Sequence, residues 1–194
     1  MNFLAHLYLS GYNEKVMVGN FIGDFVKGKQ YENYEPGIKK GILLHRHIDA
    51  FTDVHPKVIA SKRRLWEKYR HYAGVIVDIF YDHFLAVNWS VYHQMPLVDY
   101  TQKAYKIILA HETTLPKGAK YMLPFMMENN WLLNYAQKEG IRQALTGMAR
   151  RATFQSKMGQ AAHDLTLHYD DFEKDFKDFF PDVIIFAGDW LKEN

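Results

Sequence analysis

Asp78, Asp82 and His83 interrupt an otherwise apolar stretch, Val77-Asp78-Ile79-Phe80-Tyr81-Asp82-His83-Phe84-Leu85. A helix turns about 100° per residue, so side chains four positions apart share a face, as Asp78 and Asp82 do. A helix that is apolar nearly all round is a buried helix. Burying a carboxylate is costly unless a partner or a metal meets its charge. The chemistry this points to is a metal centre.

Three other segments repeat the pattern. In Gly41-Ile42-Leu43-Leu44-His45-Arg46-His47-Ile48-Asp49, His45 and Asp49 share a face with Ile38, Ile42 and Ile48, which turns it inward. His47 lies about 200° away from His45, among Lys39, Lys40 and Arg46, on the solvent side. Asn20 and Asp24 form another such pair, beside Gly19 and Gly23, where a close backbone approach is plausible. Asn2 and His6 form the last. Ligands gathered from facing helices are how metal sites in helical bundles are built. A His and carboxylate set without Cys suits Mn²⁺, Fe²⁺, Mg²⁺ or Zn²⁺. Such an ion polarises a phosphoryl oxygen and acidifies water, which is the chemistry of phosphate ester hydrolysis. A lone His/Asp pair at this spacing is more often a structural hydrogen bond. Repetition in apolar settings weighs toward a site. His47, His93, His111 and His163 read as surface or capping residues, and Met122, Met126 and Met127 as core filling.

Glycine and proline divide the chain into helix-length pieces. The expected helices are 2–10, 14–26, 36 to about 54, 56 to about 72, 74–89, 97–112, 124–137, 141–151 and 159–180. Residues 113–123 read as a loop holding Pro116 and Gly118, and Pro181 reads as a stop before a short tail helix. With no period-two runs and no repeats, the fold class is all-α, a single helical domain over residues 1–194.

The chain has 194 residues, 48% of them hydrophobic, enough for a sizeable core. The absence of Cys excludes disulfides, thiolate metal sites and a cysteine nucleophile. A net charge of +2 is not that of a nucleic-acid binder. Residues 73–87 are too short and too charged to span a membrane, and the N-terminus carries no signal pattern. The expectation is therefore a cytoplasmic protein with no nucleic-acid or membrane partner. Cations crowd one segment (Lys57, Lys62, Arg63, Arg64, Lys68, Arg70), which reads equally as a solvated helix face or a partner surface.

These residues resemble the acyl carrier protein phosphodiesterase (acyl carrier protein hydrolase) family, a divergent HD-type group of metal phosphohydrolases. The likeness rests on the opening Met1-Asn2-Phe3-Leu4-Ala5-His6-Leu7 and on Gly19-Asn20 with Asp24-Phe25-Val26 and Gly28. It continues through Gly41-Ile42, His45-Arg46, Ile48-Asp49 and Thr52-Asp53, then Asp78 with Asp82-His83-Phe84-Leu85 and Trp89, and finally Gly147-Met148-Ala149 and His168-Tyr169. Position 47 departs, with His where relatives often carry Arg, and the adjacent His-Asp doublet of the wider group is reversed as Asp82-His83.

The resemblance implies an all-helical, HD-like fold. It implies metal-dependent hydrolysis, with Mn²⁺ preferred, of the phosphodiester joining 4′-phosphopantetheine to a serine of holo-acyl carrier protein. Carried onto this chain, it implies that Asp24, His45, Asp49, Asp78 and Asp82 hold the metal or surround it. His6, His83 and Asp82 would complete the site or handle protons. Lys62, Arg63, Arg64 and Lys68 would receive an acidic carrier protein. Two rivals stay open at this stage. One is an HD-like phosphohydrolase acting on a nucleotide or other small phosphodiester. The other is a carrier-binding module without catalysis.

Overall fold

The computed structural model describes residues 1–152 and 156–194, and among them every regular element is a helix. In chain order these are α1 (Phe3–Tyr8), α2 (Glu14–Ile22), α3 (Pro36–Val54), α4 (Pro56–Tyr69), α5 (Ala73–Val87), α6 (Trp89–Tyr92), α7 (Leu97–Ala110), α8 (Lys117–Glu128), α9 (Trp131–Asn134), α10 (Lys138–Arg151), α11 (Ala161–Leu167) and α12 (Tyr169–Glu193), with short 3₁₀ turns between some of them.

The local signals act as their chemistry requires. Asn13 caps α2, its side chain accepting from the Lys15 and Val16 amides. Pro36 and Pro56 occupy first-turn positions in α3 and α4, where no helical N–H is lost. The α5 helix is buried on almost every side, and α1, α4, α10 and α12 pack around it. Its Phe80, Tyr81 and Phe84 meet Phe172 and Phe176 of α12 with ring centroids 5.1–6.0 Å apart.

The α2–α3 contact matters most for the site. A Cβ on Gly19 would lie 2.0 Å from the Ile38 carbonyl oxygen, and one on Gly41 2.1 Å from that of Val16. Only two glycines let these helices touch backbone to backbone. That contact carries Asn20 of α2 up against His45 of α3.

Several boundaries differ from expectation, among them the expected helices 124–137, broken after Glu128 where Asn130 takes a positive φ, and 159–180, split at His168. The α2 helix stops at Ile22, and Gly23–Phe25 form a 3₁₀ turn. Residues 117–123 are helix, not loop, and Pro124 lies inside α8. The long last helix runs through Pro181 instead of stopping there. Both prolines face solvent, and the carbonyls they leave unbonded belong to the exposed residues Lys120 and Lys177. An interior proline costs about 3 kcal/mol in a helix. In α12 the buried stripe Phe172, Phe176, Phe179, Phe180, Val183 and Ala187 outweighs that cost. No helix among the described residues is long and apolar enough to cross a membrane.

Candidate metal centre

Asn20 is fully buried between two histidines. Its Nδ2 donates to the His6 carbonyl oxygen at 2.7 Å and to Ser10 Oγ at 3.0 Å. That leaves its Oδ1 as an acceptor, 2.8 Å from His6 Nδ1. Its main-chain oxygen lies 2.8 Å from His45 Nδ1. Carbonyl oxygens only accept, so the network assigns a hydrogen to Nδ1 of both rings. In the neutral imidazoles both Nε2 atoms then present lone pairs.

Those lone pairs converge. His6 Nε2 lies 3.2 Å from Asp49 Oδ1, and His45 Nε2 lies 3.2 Å from Asp49 Oδ2 and 3.4 Å from Asp24 Oδ1. Neither Nε2 has a hydrogen-bond partner, although both are buried. Ligand atoms of His6, His45 and Asp49 all lie within 4.8 Å of one another. Two donors bound to one ion at about 2.1 Å, at roughly tetrahedral or octahedral angles, stand about 3.0–3.4 Å apart. The spacing fits a divalent cation, and the fixed Nδ1–H tautomers are those of metal-ligating histidines.

The floor of the site is buried imidazole and its rim is carboxylate. The side chains of His6 and His45 are 2% and 6% exposed, whereas those of Asp49 and Asp24 are 39% and 68% exposed. Above them opens a cavity of about 250 Å³, lined by Met1, Asn2, Asp24, Asp49, Thr52, Asp53, Val75, Asp78 and Met148. Burial and the neighbouring His45 push His6 down to about 4. Burial also opposes charge on His45, but Asp24 and Asp49 outweigh it and raise the ring to about 9. Burial would raise Asp49, yet the two imidazoles and the Met1 α-ammonium hold it far below the usual carboxylate range. Cationic charge is what this cluster of carboxylates attracts.

A family model described as acyl carrier protein phosphodiesterase matches residues 1–183. The chain belongs to the acyl carrier protein phosphodiesterase family. Relatives of that name include one from Photorhabdus laumondii, 35% identical over 182 residues, covering 93% of this chain and 92% of the relative. Another, from Yersinia enterocolitica, is 33% identical over 190 residues, covering 97% and 98%. One from Escherichia coli is 32% identical over 182 residues, covering 93% and 94%. No solved structure matches the chain significantly.

The residues that carry the family resemblance do not all serve the cluster. Asp24, His45 and Asp49 join His6 in the cluster. Asp78 stands at its edge, bonded at 3.1 Å by the Met1 α-ammonium, which also lies 3.7 Å from Asp49. Burial raises the Asp78 carboxyl, and that ammonium opposes the rise.

Asp82 lies deeper and does something else. Its Oδ2 accepts from the Leu4 amide at 2.7 Å and its Oδ1 from the Ala5 amide at 3.2 Å. It caps the N-terminus of α1 from a distant helix, satisfying amides that α1 itself leaves unbonded. Burial is the largest influence on it and pushes its pKa up to about 7, against those two amides. His83 points elsewhere again. Its Nδ1 donates to the Tyr135 carbonyl oxygen at 2.7 Å, and its Nε2 accepts from the Tyr169 hydroxyl at 3.0 Å. It shares no hydrogen bond or ion pair with the cluster among the described residues.

The basic segment of α4 is largely answered from within the chain. Lys62 bonds Asp53 at 2.6 Å, Lys68 bonds Asp164 at 2.9 Å, and Arg64 is held by Asp175. Arg63 is exposed and forms no ion pair among the described residues. Two participants take roles that the sequence did not give them. Asn20 stood in a polar pair with Asp24 and in the family motif but not as the residue that orients both histidines, and nothing announced that the Met1 terminus folds back onto Asp78.

Proposed function

We propose that this chain hydrolyses the phosphodiester linking 4′-phosphopantetheine to the serine of holo-acyl carrier protein, releasing apo-carrier protein and 4′-phosphopantetheine. The observation that carries the reading is the convergence of two unpartnered buried Nε2 atoms on Asp49, in a chain of the acyl carrier protein phosphodiesterase family.

His6, His45 and Asp49 hold the metal, with Asp24 and Asp78 at the rim as further carboxylate donors. A His and carboxylate set without Cys suits Mn²⁺, and Mg²⁺, Fe²⁺ or Zn²⁺ after it. The bound ion supplies Lewis-acid stabilisation of charge developing on the phosphoryl group. Asn20 orients both rings. Asp82 fixes α1, and with it His6. The carrier protein, acidic and cytoplasmic, meets the exposed α4 face, where Arg63 is the cation left unpaired and Arg64 and Lys68 flank it.

Incubation of metal-loaded protein with holo-carrier protein, beside a panel of nucleotides and small phosphodiesters, tests the reading. It expects release of phosphopantetheine from the carrier. Turnover of the small diesters alone would replace it with the small-substrate reading.

A further inference from the structure

Thr52 is 2% exposed and lines the cavity over the metal cluster, three residues beyond Asp49 in α3. Its Oγ1 is buried without a hydrogen-bond partner. A threonine inside a helix ordinarily satisfies its hydroxyl on the carbonyl four residues earlier. An unmade bond to a buried hydroxyl is costly, so this one is an unexplained donor on a residue that lines the place where a substrate must sit.

The next residue, Asp53, brings a cation to the same place. Asp53 Oδ1 holds Lys62 Nζ at 2.6 Å. The Lys62 stem crosses the start of α5, where a Cβ on Gly74 would lie 3.6 Å from its Cε. Val75 and Asp78, which follow, line the cavity. The Lys62 side chain is only 24% exposed, and Asp53 beside it is 71% exposed. Every ionisable side chain lining the cavity is an aspartate, namely Asp24, Asp49, Asp53 and Asp78, and Lys62 reaches that rim through its bond to Asp53. A phosphodiester is an anion, and a rim of carboxylates repels it. Lys62 is the side-chain cation placed to offset that repulsion.

We propose that Thr52 Oγ1 and Lys62 Nζ form a subsite for the non-bridging oxygens of the substrate's phosphoryl group, with Asp53 holding Lys62 over the cavity. This rests on the phosphodiesterase reading and assigns Lys62 to the reacting phosphate instead of the carrier's surface. Thr52 donates one hydrogen bond and Lys62 a charge-assisted one, the kind phosphate oxygens accept most strongly.

The test uses the full-length, Mn²⁺-loaded protein with Thr52→Val, Thr52→Ser, Lys62→Met, Lys62→Arg and, as a remote control, Lys174→Met. Inorganic phosphate binding is measured by calorimetry, Mn²⁺ binding in the same way, and kcat and KM with holo-carrier protein. The expected result is that Thr52→Val and Lys62→Met each weaken phosphate about tenfold while leaving Mn²⁺ affinity and the melting temperature unchanged. Thr52→Ser and Lys62→Arg should retain most of the binding, and Lys174→Met all of it. Wild-type phosphate affinity in both Thr52→Val and Lys62→Met would overturn the subsite. So would a loss of phosphate binding that only follows a loss of Mn²⁺. Should the wild type release no phosphopantetheine, the substrate reading fails while the phosphate titration still decides the subsite.

Discussion

His6 and His45 stack face to face, their ring centroids 3.9 Å apart and their planes 16° from parallel, with both Nε2 atoms turned to the Asp49 carboxylate. Burial keeps the His6 ring neutral, while His45, raised to about 9, holds toward its carboxylates a proton that a bound metal would displace. His6→Ala and His45→Ala should therefore each lower Mn²⁺ affinity on the order of 100-fold or more, measured by calorimetry on metal-stripped protein. Unchanged affinity in either variant would remove that residue from the centre.

Asn20 fixes both tautomers at once, so its loss should reach the metal without touching it. Asn20→Ala is expected to reduce Mn²⁺ affinity by about 10–100-fold, as for other outer-sphere partners of ligating histidines. Asn20→Asp keeps an acceptor for His6 but loses the donors to the His6 carbonyl and Ser10, and should fall between. Wild-type affinity in Asn20→Ala would show that packing alone holds the His6 ring, since the main-chain oxygen that orients His45 remains.

Gly23 leaves room for a ligand. A Cβ there would lie 2.2 Å from His45 Cγ. Gly23→Ala must displace that ring or the turn that follows α2, at about 1–3 kcal/mol of overpacking. Chemical denaturation should register the loss of stability, and the metal titration a weakened site. A variant as stable and as metal-competent as the wild type would contradict the packing described.

Asp82 binds amides, not the cluster. Its replacement by Ala should cost about 1–3 kcal/mol of stability, and the loss should be present in EDTA as fully as in Mn²⁺. Urea unfolding under both conditions checks this. A loss confined to the metal-loaded protein would make Asp82 a ligand after all.

His83 gives a pH dependence of defined sign. Burial lowers its pKa below 6.5, opposed by its bond to the Tyr135 carbonyl. The unfolded chain therefore takes up this proton at higher pH than the folded one. Stability from the neutral ring is complete above about pH 6.5 and declines as the pH falls below it. Thermal melts of metal-stripped protein from pH 8 to pH 5 should show a steeper acid loss for the wild type than for His83→Gln. Parallel profiles would show that His83 does not titrate with folding.

The helices and the inward-turned His45 and Asp49 face were legible because helical spacing in an apolar setting is a local property, whereas Asp24 sits exposed in the turn after α2. His47 likewise lies on the exposed face, against Trp190, as its position in the turn implies. What the spacing could not separate was Asp78 from Asp82. They share a face, but they meet different things, one a chain terminus at the cavity edge and the other the amides of a helix nearly eighty residues away in sequence. The same limit hid the ion pairs of Lys62, Arg64 and Lys68, whose partners Asp53, Asp175 and Asp164 lie on other helices. Pro124 and Pro181 misled because their cost depends on whether the lost bond faces water, which only the packing decides.

The most direct test is the mass of holo-acyl carrier protein after incubation with three samples: metal-stripped wild type, the same protein reloaded with Mn²⁺, and folded His45→Ala treated alike. The account predicts loss of the phosphopantetheine mass with the reloaded wild type alone. Release by the metal-stripped protein, or undiminished release by His45→Ala, would contradict it.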